Sequence, residues 1–323
     1  MNSEAALASN DISAEFCPPP GLANPHVQTI FSSVARRITV PRQAVDFLNA
    51  GVDSLEEIKG VKIAITRHPN SGPPITIIPG WLGTGDSSYA QSMGAQLWRA
   101  GYEVVRVTLR DHGKTAHLNP GFFNSAMLDE VVDLVARIGQ QSNYEQGGLI
   151  GFSLGGNFAL RVARALPHLH TLAISPAIVP DETMYAIDSN PVYQNYFVRK
   201  WRKLWTAKQE AFPDYDFTDA LSLSTVSALT DYFVSRHSDF QTTADYFAAY
   251  DLSGNALAGV NARILAAEDD PIIPIAHFND LPASLDLDIT PQGGHGAYID
   301  TWRLESWADR YAQAYFSERL LTS

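Results

Sequence analysis

Leu149-Ile150-Gly151-Phe152-Ser153-Leu154-Gly155-Gly156 decides the fold. It contains Gly-x-Ser-x-Gly, a short pattern that also recurs by chance. Its setting gives it weight. The apolar run at 148–152 reads as a buried strand, and 155–166 reads as a helix. A strand, a sharp turn and a helix are what a nucleophile elbow requires. The serine in such a turn takes an unfavourable backbone conformation. Side chains two residues before and after it would strike the neighbouring strand and helix. Gly151 and Gly155 remove them, and Gly156 adds clearance. The helix N-terminus then points at the reacting centre, where negative charge develops. The plainer alternative is a Gly-rich connection with an incidental serine, and the flanking pattern weighs against it.

Outward from this segment, strand and helix patterns alternate. Short β-branched or apolar runs at 61–66, 75–78, 103–108, 171–175, 264–267 and 285–289 read as buried strands. Helical patterns occupy 88–100, 125–138, 275–281 and 302–320. This alternation predicts a mostly parallel sheet flanked by helices. With the serine elbow placed between a strand and a helix, the expected fold is that of an α/β hydrolase. The first 25 residues or so are rich in Ala, Ser and Pro and read as irregular. Between 176 and 259 the alternation stops, and the chain is aromatic-rich and helix-like. The expected organisation is an N-terminal segment over 1–60, a core over 61–175 and 260–323, and a helical cap over 176–259.

A serine hydroxyl is a poor nucleophile until a base takes its proton. His295, in Gln292-Gly293-Gly294-His295-Gly296, is the candidate. It follows the last expected strand, and three glycines let the loop carry its ring over Ser153. The other histidines lie before the nucleophile, flank a strand start (His168, His170), or sit in or near helical segments (His237, His277). A carboxylate must orient the imidazole. Asp270, in Glu268-Asp269-Asp270-Pro271, lies just past a strand's C-terminal end and precedes a proline that fixes the turn. Asp269 is its competitor, and helix N-capping is the structural alternative for either. The order Ser153, Asp270, His295 is the one expected for this fold. Acyl transfer also needs N–H donors aimed at the developing oxyanion. Leu154 supplies one, and Trp81 in Pro79-Gly80-Trp81-Leu82 is the candidate for the second.

Composition narrows the rest. The 323 residues are 45% hydrophobic and 18% charged, as in an ordinary globular protein. A formal net charge of -12 disfavours nucleic acid as a partner. Cys17 is the single cysteine, so no intrachain disulfide can form, and it reads as a passive thiol. No metal site is expected, because there is no cysteine cluster and no His-Glu-x-x-His. No phosphate loop or dinucleotide fingerprint is present, so no cofactor is expected. Residues 1–15 carry three acids and no basic n-region, unlike a secretory signal. No apolar run approaches the roughly 18–20 residues that span a bilayer. A soluble cytoplasmic protein is the default expectation.

Further motifs carry a family resemblance. Asn24-Pro25-His26-Val27-Gln28-Thr29-Ile30, followed by Arg36-Arg37, resembles the N-terminal signature of the YheT-like branch of α/β hydrolases. Arg110-Asp111-His112-Gly113, the serine elbow, Asp269-Asp270-Pro271 and Gly293-Gly294-His295-Gly296 follow in that branch's order. The resemblance covers about residues 17–318. It implies hydrolysis of small-molecule carboxylic esters, often with lipid-like acyl groups, and in some relatives acyl transfer to an alcohol. Many α/β hydrolases have His-Gly where this chain has Pro79-Gly80; a backbone donor survives that change.

Within 176–259, Phe197, Trp201, Leu204 and Trp205 fall at i, i+4, i+7 and i+8, opposite Arg199, Lys200, Arg202 and Lys203. This is an amphipathic helix. Packing on the core with a solvated basic face is the favoured reading. A roof over an apolar acyl pocket, or a lipid-facing surface, is the alternative. The expected function is serine-dependent ester hydrolysis through an acyl-enzyme. Acyltransfer and ligand binding on an inactive hydrolase scaffold are the competing readings.

Overall fold

The computed structural model describes residues 16–321, so the reading of 1–15 as lacking a secretory signal falls outside the described residues. The strands are β1 Val52–Ile58, β2 Val61–His68, β3 Gly72–Ile78, β4 Tyr102–Thr108, β5 Gly148–Phe152, β6 His170–Ile174, β7 Ala262–Ala267 and β8 Leu285–Thr290. They form one sheet in the order β1-β2-β4-β3-β5-β6-β7-β8. The pairs β1/β2 and β2/β4 are antiparallel, and every other pair is parallel.

The helices are α1 Pro25–Ser33, α2 Arg36–Gln43, α3 Val45–Asn49, α4 Ser88–Arg99, α5 Asp129–Gln140, α6 Leu154–Ala165, α7 Pro180–Ser189, α8 Pro191–Ala211, α9 Thr218–Ser222, α10 Val226–His237, α11 Thr243–Ala248 and α12 Trp307–Leu320. Side-chain alternation along the strands feeds two cores. Leu149, Ala173, Ile264 and Ala266 pack with α5 and α6. Ile150, Ile174, Leu265 and Ala267 pack with α4 and α12 on the other face. A sheet covered on both faces needs unbroken apolar strands, and β5 is buried throughout.

All strands but β1 were expected, with ends shifted by a few residues at most. Several helices differ from expectation. The 275–281 pattern gives only a 3-10 turn, Ile275–Phe278, because prolines at 274 and 282 bracket it. The 125–138 helix starts at Asp129, and the last helix starts at Trp307 rather than 302. The irregular N-terminal segment ends in a true helix: the Asn24 side chain caps α1 by accepting from the N–H groups of His26 and Val27, and Pro25 opens it.

Between β6 and β7 lie α7 to α11 and a 3-10 turn, and no strand. The long helix α8 is tied to the core by a buried ion pair. Lys208 Nζ donates to Asp111 Oδ1 at 2.7 Å and to the carbonyls of Asn119 and Gly121 at 2.5 and 2.9 Å. Neither side chain is more than 1% exposed. Burial pushes the Asp111 carboxyl up and the Lys208 ammonium down, and their contact opposes both shifts.

Candidate active site

Ser153 lies between β5 and α6 with φ 53° and ψ -117°. A non-glycine residue there costs about 1–3 kcal/mol. Surrounding bonds hold it. Its N–H donates to the Ile174 carbonyl at 2.9 Å, and its carbonyl accepts from the N–H groups of Asn157 and Ala177 at 3.1 and 3.2 Å. The glycines are sterically required. A Cβ on Gly151 would sit 2.0 Å from the Gly155 carbonyl oxygen, and one on Gly155 would sit 2.3 Å from that of Ile78. The Ser153 hydroxyl makes no capping bond to α6, so it is left for other chemistry.

His295 lies beyond β8 on a loop whose glycines 293, 294 and 296 all have positive φ. Its Nδ1 lies 2.9 Å from Asp270 Oδ2 and 3.2 Å from Oδ1. A carboxylate can only accept, so Nδ1 donates and Nε2 remains the ring's acceptor. The Asp270 side chain is 2% exposed, and its Oδ1 accepts from the N–H groups of Ile272 and Ile273 at 2.8 and 3.0 Å. Asp269 faces elsewhere: its Oδ1 accepts from the Gly294 N–H at 2.8 Å, and burial pushes its carboxyl up. One carboxylate thus holds the ring and its neighbour holds the loop.

Sequence reasoning missed the supports of that loop. Thr29 Oγ1 accepts from the His295 N–H at 2.9 Å. Buried Gln28 clamps Ile299, donating to its carbonyl at 2.9 Å and accepting from its N–H at 2.8 Å. Ser175, at φ 45°, accepts from the Gly296 N–H at 3.1 Å. The Gln28-Thr29 pair belongs to the N-terminal motif quoted above, so that motif steadies the histidine. His26 links the same helix to α8, with Nδ1 2.8 Å from the Tyr193 hydroxyl.

The loop after β3 runs against the serine: a Cβ on Gly80 would lie 3.2 Å from Ser153 Cβ. The Gly80 N–H donates to the Tyr89 hydroxyl at 3.0 Å. Among the described residues, no protein acceptor takes the N–H of Trp81 or Leu154. Helix α8 holds this loop. Trp81 stacks on Phe197 with centroids 5.2 Å apart and meets Trp201 edge-on at 4.9 Å. Lys200 Nζ donates to the Leu82 carbonyl at 2.9 Å. The basic face of α8 is therefore only partly solvated, since Arg202 also turns back to the Leu223 carbonyl.

Two cavities meet at Ser153. One, of about 760 Å³, is lined by Ser153, His295, Trp81 and residues of α1, α2 and α8. The other is narrower and mostly apolar, lined by Ser153 and Leu154 and roofed by Phe197, Trp201, Leu204 and Trp205. The apolar stripe of α8 thus does roof a pocket beside the serine. Ser153, Asp270, His295 and the Trp81 loop all lie at C-terminal strand ends, where sheets of this type gather their ligands. No helix among the described residues is long and apolar enough to cross a membrane.

The comparisons agree with this fold. The chain is 22% identical to "Putative esterase YheT" of Escherichia coli over 94% of its own length and 95% of that protein's. It is 25% identical to "Putative esterase slr0264" of Synechocystis over 75% of each. The solved esterase Pf2001 of Pyrococcus furiosus shares the fold at TM-score 0.56 and 16% identity, over 87% of this chain and 94% of that one. A serine hydrolase, CCSP0084, from Cycloclasticus zankles does so at TM-score 0.54 and 15% identity, over 82% and 97%. Residues 77–314 match the alpha/beta hydrolase family. With the sheet, the elbow and that match in agreement, the chain belongs to the α/β-hydrolase family, and its likeness to the YheT-like branch runs almost end to end.

Proposed function

We propose that the protein is a serine hydrolase that cleaves carboxylic esters with apolar acyl groups through an acyl-enzyme. One observation carries this reading: the hydrogen-bonded Asp270–His295 pair opens onto the same cavity as a strained, uncapped serine. His295 Nε2 takes the Ser153 proton as Oγ attacks the ester carbonyl. The Trp81 and Leu154 N–H groups hold the oxyanion. When it collapses, the C–O bond breaks and His295 gives its proton to the departing alcohol. Water then attacks the acyl-enzyme, losing its proton to His295, and the acid leaves as Ser153 is reprotonated. Asp270 keeps the ring in one tautomer throughout. The pocket roofed by Trp201 and Trp205 suits an apolar acyl chain, and the esterase names of the relatives fit the same chemistry.

A fluorophosphonate probe should label the wild-type protein and leave Ser153→Ala unlabelled. Folded wild-type protein that resists the probe would overturn the reading. Asp270→Asn should lower turnover by on the order of 10⁴-fold, because an amide there favours the wrong tautomer. Asp269→Asn keeps an acceptor for Gly294 and should cost far less. The opposite ranking in steady-state kinetics would shift the orienting role by one residue.

A further inference from the structure

The larger cavity has a charge that the ester reading alone does not explain. The chain is acidic, at a formal net charge of -12. The cavity wall is the reverse: Arg37, Arg199, Lys200 and Arg202 line it, and no Asp or Glu does. None of the four forms an ion pair among the described residues. The side-chain hydrogen bonds of Lys200 and Arg202 go to carbonyl oxygens, and the Lys200 ammonium also lies 4.8 Å over the Tyr196 ring; neither contact supplies a counter-charge. Arg37 and Arg199 are exposed and make no side-chain hydrogen bond among the described residues. A solvated basic face of α8 does not account for this, because Arg37 comes from α2 and reaches the same cavity from a separate element.

The mechanism assigns the two cavities to the two halves of an ester. His295 must protonate the leaving oxygen, so the alcohol lies on its side. Of the two cavities, the larger touches His295 and the apolar one does not. We propose that the larger cavity receives the alcohol half of the substrate and selects an alcohol that carries a negative charge, as a phosphate or carboxylate. A cleft lined by one sign of charge concentrates ligands of the other sign. This inference rests on the Ser153 chemistry proposed above.

Three butanoate esters test it, with the acyl half constant and the alcohol varied: glycerol phosphate, glycerol and choline. In low salt, kcat/KM should favour the glycerol phosphate ester over the glycerol ester by about tenfold, with the choline ester lowest. Arg37→Gln combined with Arg199→Gln should cut the anionic-to-neutral ratio by roughly fivefold. Raising salt from about 0.05 to about 0.5 M should shrink it too, since exposed charges are screened. A ratio near one, or a ratio that survives both substitutions, overturns the inference and leaves the hydrolase reading intact. A preference seen only when the ester is presented on anionic vesicles also overturns it, because the arginines would then read a surface. If no ester is cleaved and no Ser153-dependent labelling occurs, the hydrolase reading fails and this inference fails with it.

Discussion

His295→Ala is expected to lower ester turnover by about 10⁶-fold, and adding Ser153→Ala should remove little more. The non-additivity follows from the roles proposed for the two side chains. Without the imidazole, the Ser153 proton has no acceptor, and the hydroxyl at the elbow is an ordinary alcohol. Without the hydroxyl, the Asp270–His295 pair has nothing to deprotonate. The residual rate should come from the Trp81 and Leu154 donors and from binding alone. Single-turnover kinetics on both single variants and the double variant measure this. Losses that multiply would show that the two side chains do not act as one unit. The fold should survive, because His295 is held through its backbone by Thr29 and the loop through Asp269.

Lys208→Met should destabilise the protein by about 3–5 kcal/mol, since it strands a buried carboxylate. Asp111 would keep one bond, from the Phe123 N–H at 2.8 Å, and lose its counter-ion. The Asn119 and Gly121 carbonyls would lose their donor as well. Adding Asp111→Asn should restore part of the loss. Asparagine is neutral, can still accept from Phe123, and tolerates the φ of 62° at this position. Denaturant unfolding of the three variants gives the comparison. A double variant less stable than Lys208→Met would refute the stranded-charge account.

The elbow, Asp270 and His295 were legible because their signals are local: glycines around a reactive side chain, next to a strand of clear pattern. The structure brings all three residues to one place. β1 was invisible for a physical reason. It is an edge strand whose residues are exposed or half-exposed except Ile58, so it carries no hydrophobic run. Helix α1 was not expected, because its start, capped by Asn24, stands beside a proline-rich stretch that reads as irregular. The contacts of Gln28 and Thr29 with residues 299 and 295 join opposite ends of the chain, and no local pattern announces them. The same holds for the ion pair of Lys208 with Asp111, whose partners lie 97 residues apart.

Helix α8 grips two successive residues of the loop beside the serine: Trp81 through Phe197 and Trp201, and Leu82 through Lys200. These three gripping side chains sit at i, i+3 and i+4, on a single helical turn. Any displacement of α8 would therefore be felt at once by that loop. The roof of the apolar pocket and the donors proposed for the oxyanion form one mechanical unit, and a substitution that loosens the first is expected to loosen the second.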